Sequence, residues 1–124
     1  MSVFINLSNH NSADWSAEQI TAANAYGELL DLVFPDVDPY WTDEKLNQVV
    51  DSYFAQIMAY PDPVVMLQGE FVFTYRLTNR LIRAGIPVFA ACSKRKAVEY
   101  TDENGRHIRR SEFEFVQFRR YEDV

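Results

Sequence analysis

The chain has 124 residues, 48% hydrophobic and 15% aromatic, which suits one packed domain and excludes a disordered, collagen-like or disulfide-scaffolded chain. Its formal charge is −6, which argues against wrapping long nucleic acid. The charge is divided: residues 1–70 hold eleven acids and one base, Lys45, whereas residues 71–124 hold eleven bases and seven acids.

Val3–Leu7 is a short apolar run rich in β-formers and predicts a buried strand. A polar loop, Ser8 to Trp15, follows. Ser16 and Gln19 have capping-box spacing and predict a helix running to Tyr26 and stopping at Gly27. Leu29–Phe34 reads as a second strand, and PDVDPYW, with two prolines, as a loop. Thr42 is a good N-cap, with Asp43 and Glu44 in the first turn, where the helix dipole favours acids. Leu46, Val49, Val50, Tyr53, Phe54, Ile57 and Met58 then share one helical stripe and predict a core face.

Val64–Leu67 predicts the third strand. Gln68-Gly69-Glu70 turns into a helix from Phe71 to Ala84, ended by Gly85 and then Pro87. Val88–Ala91 predicts the fourth strand. Lys96–Thr101 and Arg106–Phe118, joined at Asp102–Gly105, read as a β-hairpin. Phe113 and Phe115 alternate with acids, but Val116 and Phe118 switch phase, which predicts either a bulge or cover on both faces. Strands alternating with helices imply parallel pairing and right-handed crossovers. The expected fold is α/β: a single small Rossmann-like domain over 1–124, sheet order 2-1-3-4, helices on both faces and a C-terminal β-hairpin.

Cys92 is the only cysteine, so intrachain disulfides and a cysteine-rich zinc site are excluded. The opening MSVFINLSNH has no basic segment before an apolar core, and no stretch reaches about 18 apolar residues. A soluble cytoplasmic protein without membrane contact is expected.

In such sheets ligands bind beyond the carboxyl ends of the strands, at the switch point between strands 1 and 3. Three polar clusters fall there: Asn6, Ser8, Asn9 and His10; Gln68, Gly69 and Glu70; and Ser93, Lys94 and Arg95. Together they suit a phosphate-bearing ligand. Gly69 permits close backbone approach, the third helix offers free N–H groups, and Lys94 and Arg95 supply full charge. Plainer readings stand beside these. His10 suits a surface loop, and Ser8 and Asn9 suit a turn. Glu70 suits a helix start, and Lys94–Lys96 an edge guard. Arg76, Arg80 and Arg83 suit a solvated stripe or pairing with the acidic half. Neither GxxxxGK[ST], GxGxxG nor GxSxG occurs, and His10 and His107 lack a metal-ligand pattern. No metal and no cofactor are expected.

The set N-L-S-N-H-N-S-x-x-W-S-x-x-Q at 6–19, L-Q-G-E-F at 67–71, S-K-R at 93–95 and F-V-Q-F-R-R-Y at 115–121 resembles the small stand-alone CRISPR-associated proteins of type III systems, relatives of CARF domains. Similar proteins often have Pro after the histidine, where this chain has Asn11. The resemblance implies a homodimer that binds cyclic oligoadenylate; the −6 charge argues against long nucleic acid as a partner. It also implies ring-nuclease activity, in which a ribose 2′-OH attacks its own phosphate without a metal. In that reading His10 is the general acid or base and Glu70 the competing base. Trp15, closer in sequence to the first strand end than Trp41, stacks on adenine. Three alternatives remain: a cyclic oligoadenylate sensor or sponge without turnover, a nucleotide-processing enzyme of the deoxyribosyltransferase type centred on Glu70, and a purely structural protein.

Overall fold

The computed structural model describes residues 2–122. In chain order the elements are β1 (Val3–Ser8), a 3₁₀ turn (Ser12–Asp14), α1 (Ala17–Asn24), β2 (Glu28–Asp31), α2 (Asp43–Met58), β3 (Pro63–Gln68), α3 (Phe71–Arg83), β4 (Val88–Thr101) and β5 (His107–Arg120). The sheet order is β2-β1-β3-β4-β5. The pairs β1–β2, β1–β3 and β3–β4 are parallel, and β4–β5 is antiparallel. The expected α/β class, strand order and C-terminal hairpin are what the chain adopts.

Parallel strands covered on both faces carry continuous apolar runs, because alternate side chains enter two different cores. Val3, Ile5, Leu7, Val65 and Leu67 face α2 and α3, meeting Leu46, Val50, Ile57, Phe73, Leu77 and Leu81. Phe4, Val64 and Met66 turn the other way, toward Ala23 of α1 and Phe89. The helices therefore lie on both faces.

Side chains start each helix. The Ser16 hydroxyl accepts from the Gln19 N–H, that of Thr42 from Lys45, and the Glu70 carboxylate from Phe73 at 2.6 Å. Such caps contribute about 0.5–2 kcal/mol each. At the end of α3, Gly85 adopts φ +80°. Its N–H donates to Ile82 O, and the Ile86 N–H donates to Leu81 O. This is the Schellman closure that a residue without Cβ permits.

Three details depart from the sequence reading. First, β2 ends at Asp31, not Phe34, because its register with β1 stops at Asn6↔Asp31. Phe34 leaves the sheet to stack edge-on against Phe73, centroids 5.2 Å apart. Second, β4 does not stop at Ala91 but continues to Thr101. No Pro or Gly interrupts 88–101, and β5 supplies a partner along the whole length. Third, Met58 is not core: it is 46% exposed, whereas its stripe-mate Ile57 is fully buried.

The hairpin phase is resolved by a bulge. Cys92 pairs with Gln117 but Ser93 with Phe115, so Val116 is the extra residue. Phe115 and Phe118 are thereby returned to one face, with centroids 4.9 Å apart. The ending F-R-R-Y anchors the hairpin base on both sides of the sheet. Phe118 packs on Phe4 at 4.9 Å, and Tyr121 joins the opposite core and donates its hydroxyl to Leu67 O at 3.3 Å.

The contrast between the two stripe-mates is measurable. Ile57→Ala should cost about 2–5 kcal/mol, and Met58→Ala about 0.5 kcal/mol or less; urea unfolding midpoints of the two variants check this.

Candidate functional site

The loop after β1 is built around one buried amide. Asn6 is 2% exposed, and a buried amide must be hydrogen-bonded. Its Nδ2 donates to Asp31 Oδ1 at 2.8 Å and to His10 O at 2.7 Å, and its Oδ1 accepts from the Ser8 hydroxyl at 2.7 Å. Asp31 also accepts from the Ser12 N–H at 3.0 Å and the Ser12 hydroxyl at 2.7 Å. Residues 8–12 are thus tied back to the ends of β1 and β2, with the exposed His10 at the turn. The Asn11 side chain accepts from the Ala13 N–H and caps the 3₁₀ turn.

Beyond the carboxyl ends of β1 and β3, beside the stretch of β4 that follows its last pairing with β3, lies an open cleft of about 990 Å³. Ser8, Asn9, His10, Trp15, Gln68, Gly69 and Ser93 all line it. Three segments far apart in sequence do meet at the switch point. A smaller recess of about 240 Å³, lined by Asn6, His10 and Asp31 among others, lies on the β2 side of the same loop.

Several predicted residues occupy other positions. The Glu70 carboxylate is engaged with the Phe73 N–H and does not line the cleft. That carboxylate fills the N-terminal anion position of α3 which the sequence reading offered to a phosphate. Arg95 directs both Nε and Nη2 to the Ser111 hydroxyl, at 3.0 and 2.9 Å. Neither Arg95 nor its neighbour Lys94 lines the cleft; Lys96 does. Gly69 is small for an internal reason as well: a Cβ there would meet the Phe34 ring. The Gln68 Oε1 accepts the Ala91 N–H, holding β4 just past its last pairing with β3 at Met66↔Phe89.

The sequence reading missed one whole wall. Glu112, Phe113, Glu114 and Phe115 overhang the cleft from the hairpin, and Asp14, Glu18 and Gln19 line it near α1. The alternation of Phe113 and Phe115 with acids was the available signal, but it does not say what that face overhangs. The lining carries four carboxylates, on Asp14, Glu18, Glu112 and Glu114, against Lys96. Trp15 is shared, lining the cleft while its ring packs against Phe4 and Phe118 at 6.5 and 6.2 Å. Among the described residues no three His, Cys, Asp or Glu side chains cluster to hold a metal, and no helix is long and apolar enough to cross a membrane.

Burial raises the Asp31 pKa, but the bonds from Ser12 and Asn6 outweigh it, and the net shift is below the ordinary 3.8. The charged carboxylate is therefore favoured in the folded state. Its contribution is present above pH 3.8 and lost as pH falls through the depressed folded value. Asp31→Asn should be less stable than wild type at pH 7, with the gap closing in stronger acid; denaturant midpoints along a pH series check this.

No curated protein matches the chain. A family model does match, over residues 2–119, under the description Uncharacterized protein MJ1673 family. That match takes in every strand and helix described above, to within a residue of the end of β5, and the chain belongs to the MJ1673 family.

Proposed function

We propose that the cleft binds cyclic oligoadenylate and cuts it as a metal-independent ring nuclease. One observation carries this reading: Ser8–His10, Gln68–Gly69 and Ser93 line a single cleft at the switch point, together with aromatic rings. These are the residues on which the resemblance to type III CRISPR-associated proteins rests. The resemblance also implies two copies acting together on one ring.

The lining divides the ligand by chemistry. Phe113, Phe115 and the free part of Trp15 offer faces for adenine stacking, worth about 1–3 kcal/mol per base. The carboxylates of Asp14 and Glu18 suit the exocyclic amino group of adenine and ribose hydroxyls, which donate hydrogen bonds. Lys96, His10 and the Ser93 hydroxyl are left for the phosphates. In cleavage the 2′-oxygen bonds to the adjacent phosphorus and the bond to the 5′-oxygen breaks. The products are a 2′,3′-cyclic phosphate and a free 5′-hydroxyl. One proton leaves the 2′-OH and one reaches the 5′-oxygen, so no water or metal is consumed. His10, exposed at the end of its pinned loop, is the group that moves a proton in this reading.

A lining with one lysine against the carboxylates of Asp14, Glu18, Glu112 and Glu114 offers little charge to stabilise a reacting phosphate. This favours a second reading, capture of cyclic oligoadenylate without turnover, as a sensor or sponge. His10 is then a recognition group only. A transferase centred on Glu70 finds less support, since that carboxylate caps α3.

Incubation with rings of three to six adenylates, followed by chromatography, decides between these. Wild type should bind and open one ring size. His10→Ala should retain binding and lose about 10²–10⁴-fold in rate. Lys96→Ala should weaken binding and flatten its salt dependence. Binding without product after long incubation supports capture; neither binding nor product for any ring overturns both readings.

A further inference from the structure

The hairpin leaves the sheet almost as soon as it starts. β3 pairs with β4 only at Val65↔Val88 and Met66↔Phe89. From Ala90 to Thr101, β5 is the only strand paired with β4 among the described residues. β5 is the last strand of the sheet, so its outer edge offers unpaired backbone donors and acceptors over 14 residues. A two-stranded ribbon is marginal in water, and an open edge is a template for another strand. Apolar side chains are exposed along it, Phe113 at 72% and Val116 at 60%.

We propose that this edge is a self-association surface, on which β5 pairs antiparallel with β5 of a second copy of this chain about Ser111. The charge order selects that occupant. Arg109 and Arg110 precede Ser111, and Glu112 and Glu114 follow it. In an antiparallel register centred on Ser111, Arg110 stands opposite the partner subunit's Glu112, and Glu112 opposite the partner's Arg110. Within the chain Arg110 and Glu112 already share a face, with Nη2 and Oε1 2.7 Å apart. The four side chains therefore form a square of alternating sign. On the other face Arg109 meets the partner's Phe113, a cation–π pairing, and the two Ser111 hydroxyls face each other. A parallel copy would set arginine against arginine and glutamate against glutamate. Charges on an edge commonly guard it against pairing. A guard of one sign repels every copy, whereas this inverted order repels a parallel copy and attracts an antiparallel one.

The proposal concerns self-association alone and stands whether or not the cleft binds cyclic oligoadenylate. Sedimentation velocity over a concentration series tests it without ligand. Wild type should form dimers. Glu112→Arg sets arginine against arginine across the twofold, and Arg110→Glu sets glutamate against glutamate, so each variant alone should be monomeric. An equimolar mixture of the two restores both opposite-charge pairs and should dimerise, which also shows that both variants are folded. A monomeric wild type, dimers unaffected by either substitution, or a mixture that stays monomeric would each overturn the proposal.

Discussion

The Asn6 carboxamide cannot be buried at the end of β1 unless its hydrogen-bonding groups are met. An unpaired buried amide costs on the order of 1–3 kcal/mol, a sizeable share of a small domain's total stability. Asp31, Ser8 and the His10 carbonyl meet that demand together. Satisfying one amide thus ties the end of β2 to the end of β1 and folds residues 8–12 over both. The rim of the cleft, the exposure of His10 and the recess on its β2 side all follow from that closure. Asp31 stands where an acid after a second parallel strand commonly meets a ligand. In this chain both carboxylate oxygens are spent on its own loop.

The division of charge has two structural outlets. On the far face of the sheet, Arg76 pairs with Asp43 at 3.0 Å and Arg80 pairs with Asp51, joining basic α3 to acidic α2. These pairs are exposed and contribute little each, about 0–1 kcal/mol. Arg80 also lies over the Phe54 ring at 4.5 Å, so its aliphatic and planar parts cover apolar surface. At the cleft the outcome is the reverse of what the sum over residues 71–124 suggests. Lys94 and Arg95 stay on the ribbon, and carboxylates dominate the lining. The basic half is basic overall, yet of its bases it brings Lys96 alone to the lining of the cleft.

β4 serves two structures in succession. Val88 and Phe89 are core residues of the parallel sheet, and the same strand then forms half of a protruding ribbon. The bulge at Val116 sets how the side chains of β5 face along that ribbon. Without it, Phe113 and Phe115 would face away from Phe118 and the cleft would lose its aromatic wall. A single inserted residue therefore sets which face of the ribbon overhangs the strand ends.

The sequence by itself determined what depends on local chemistry and short periods. Thr42 and Ser16 cap helices because their hydroxyls reach an N–H three residues on, and Gly85 ends α3 because only a residue without Cβ adopts its conformation cheaply. Alternating apolar strands and amphipathic helices dictated a parallel sheet, its order and the rim where Ser8, His10, Gln68 and Ser93 meet. Other features depend on contacts between segments far apart, which no local pattern encodes. Whether Gly69 faces a ligand or the Phe34 ring, and whether Glu70 serves a substrate or the Phe73 N–H, is set by what packs against them. Arg95 turns to Ser111 instead of the cleft, and Glu112–Phe115 become a wall, because the twist and bulge of a long ribbon aim side chains that sequence alone can only assign to alternate faces.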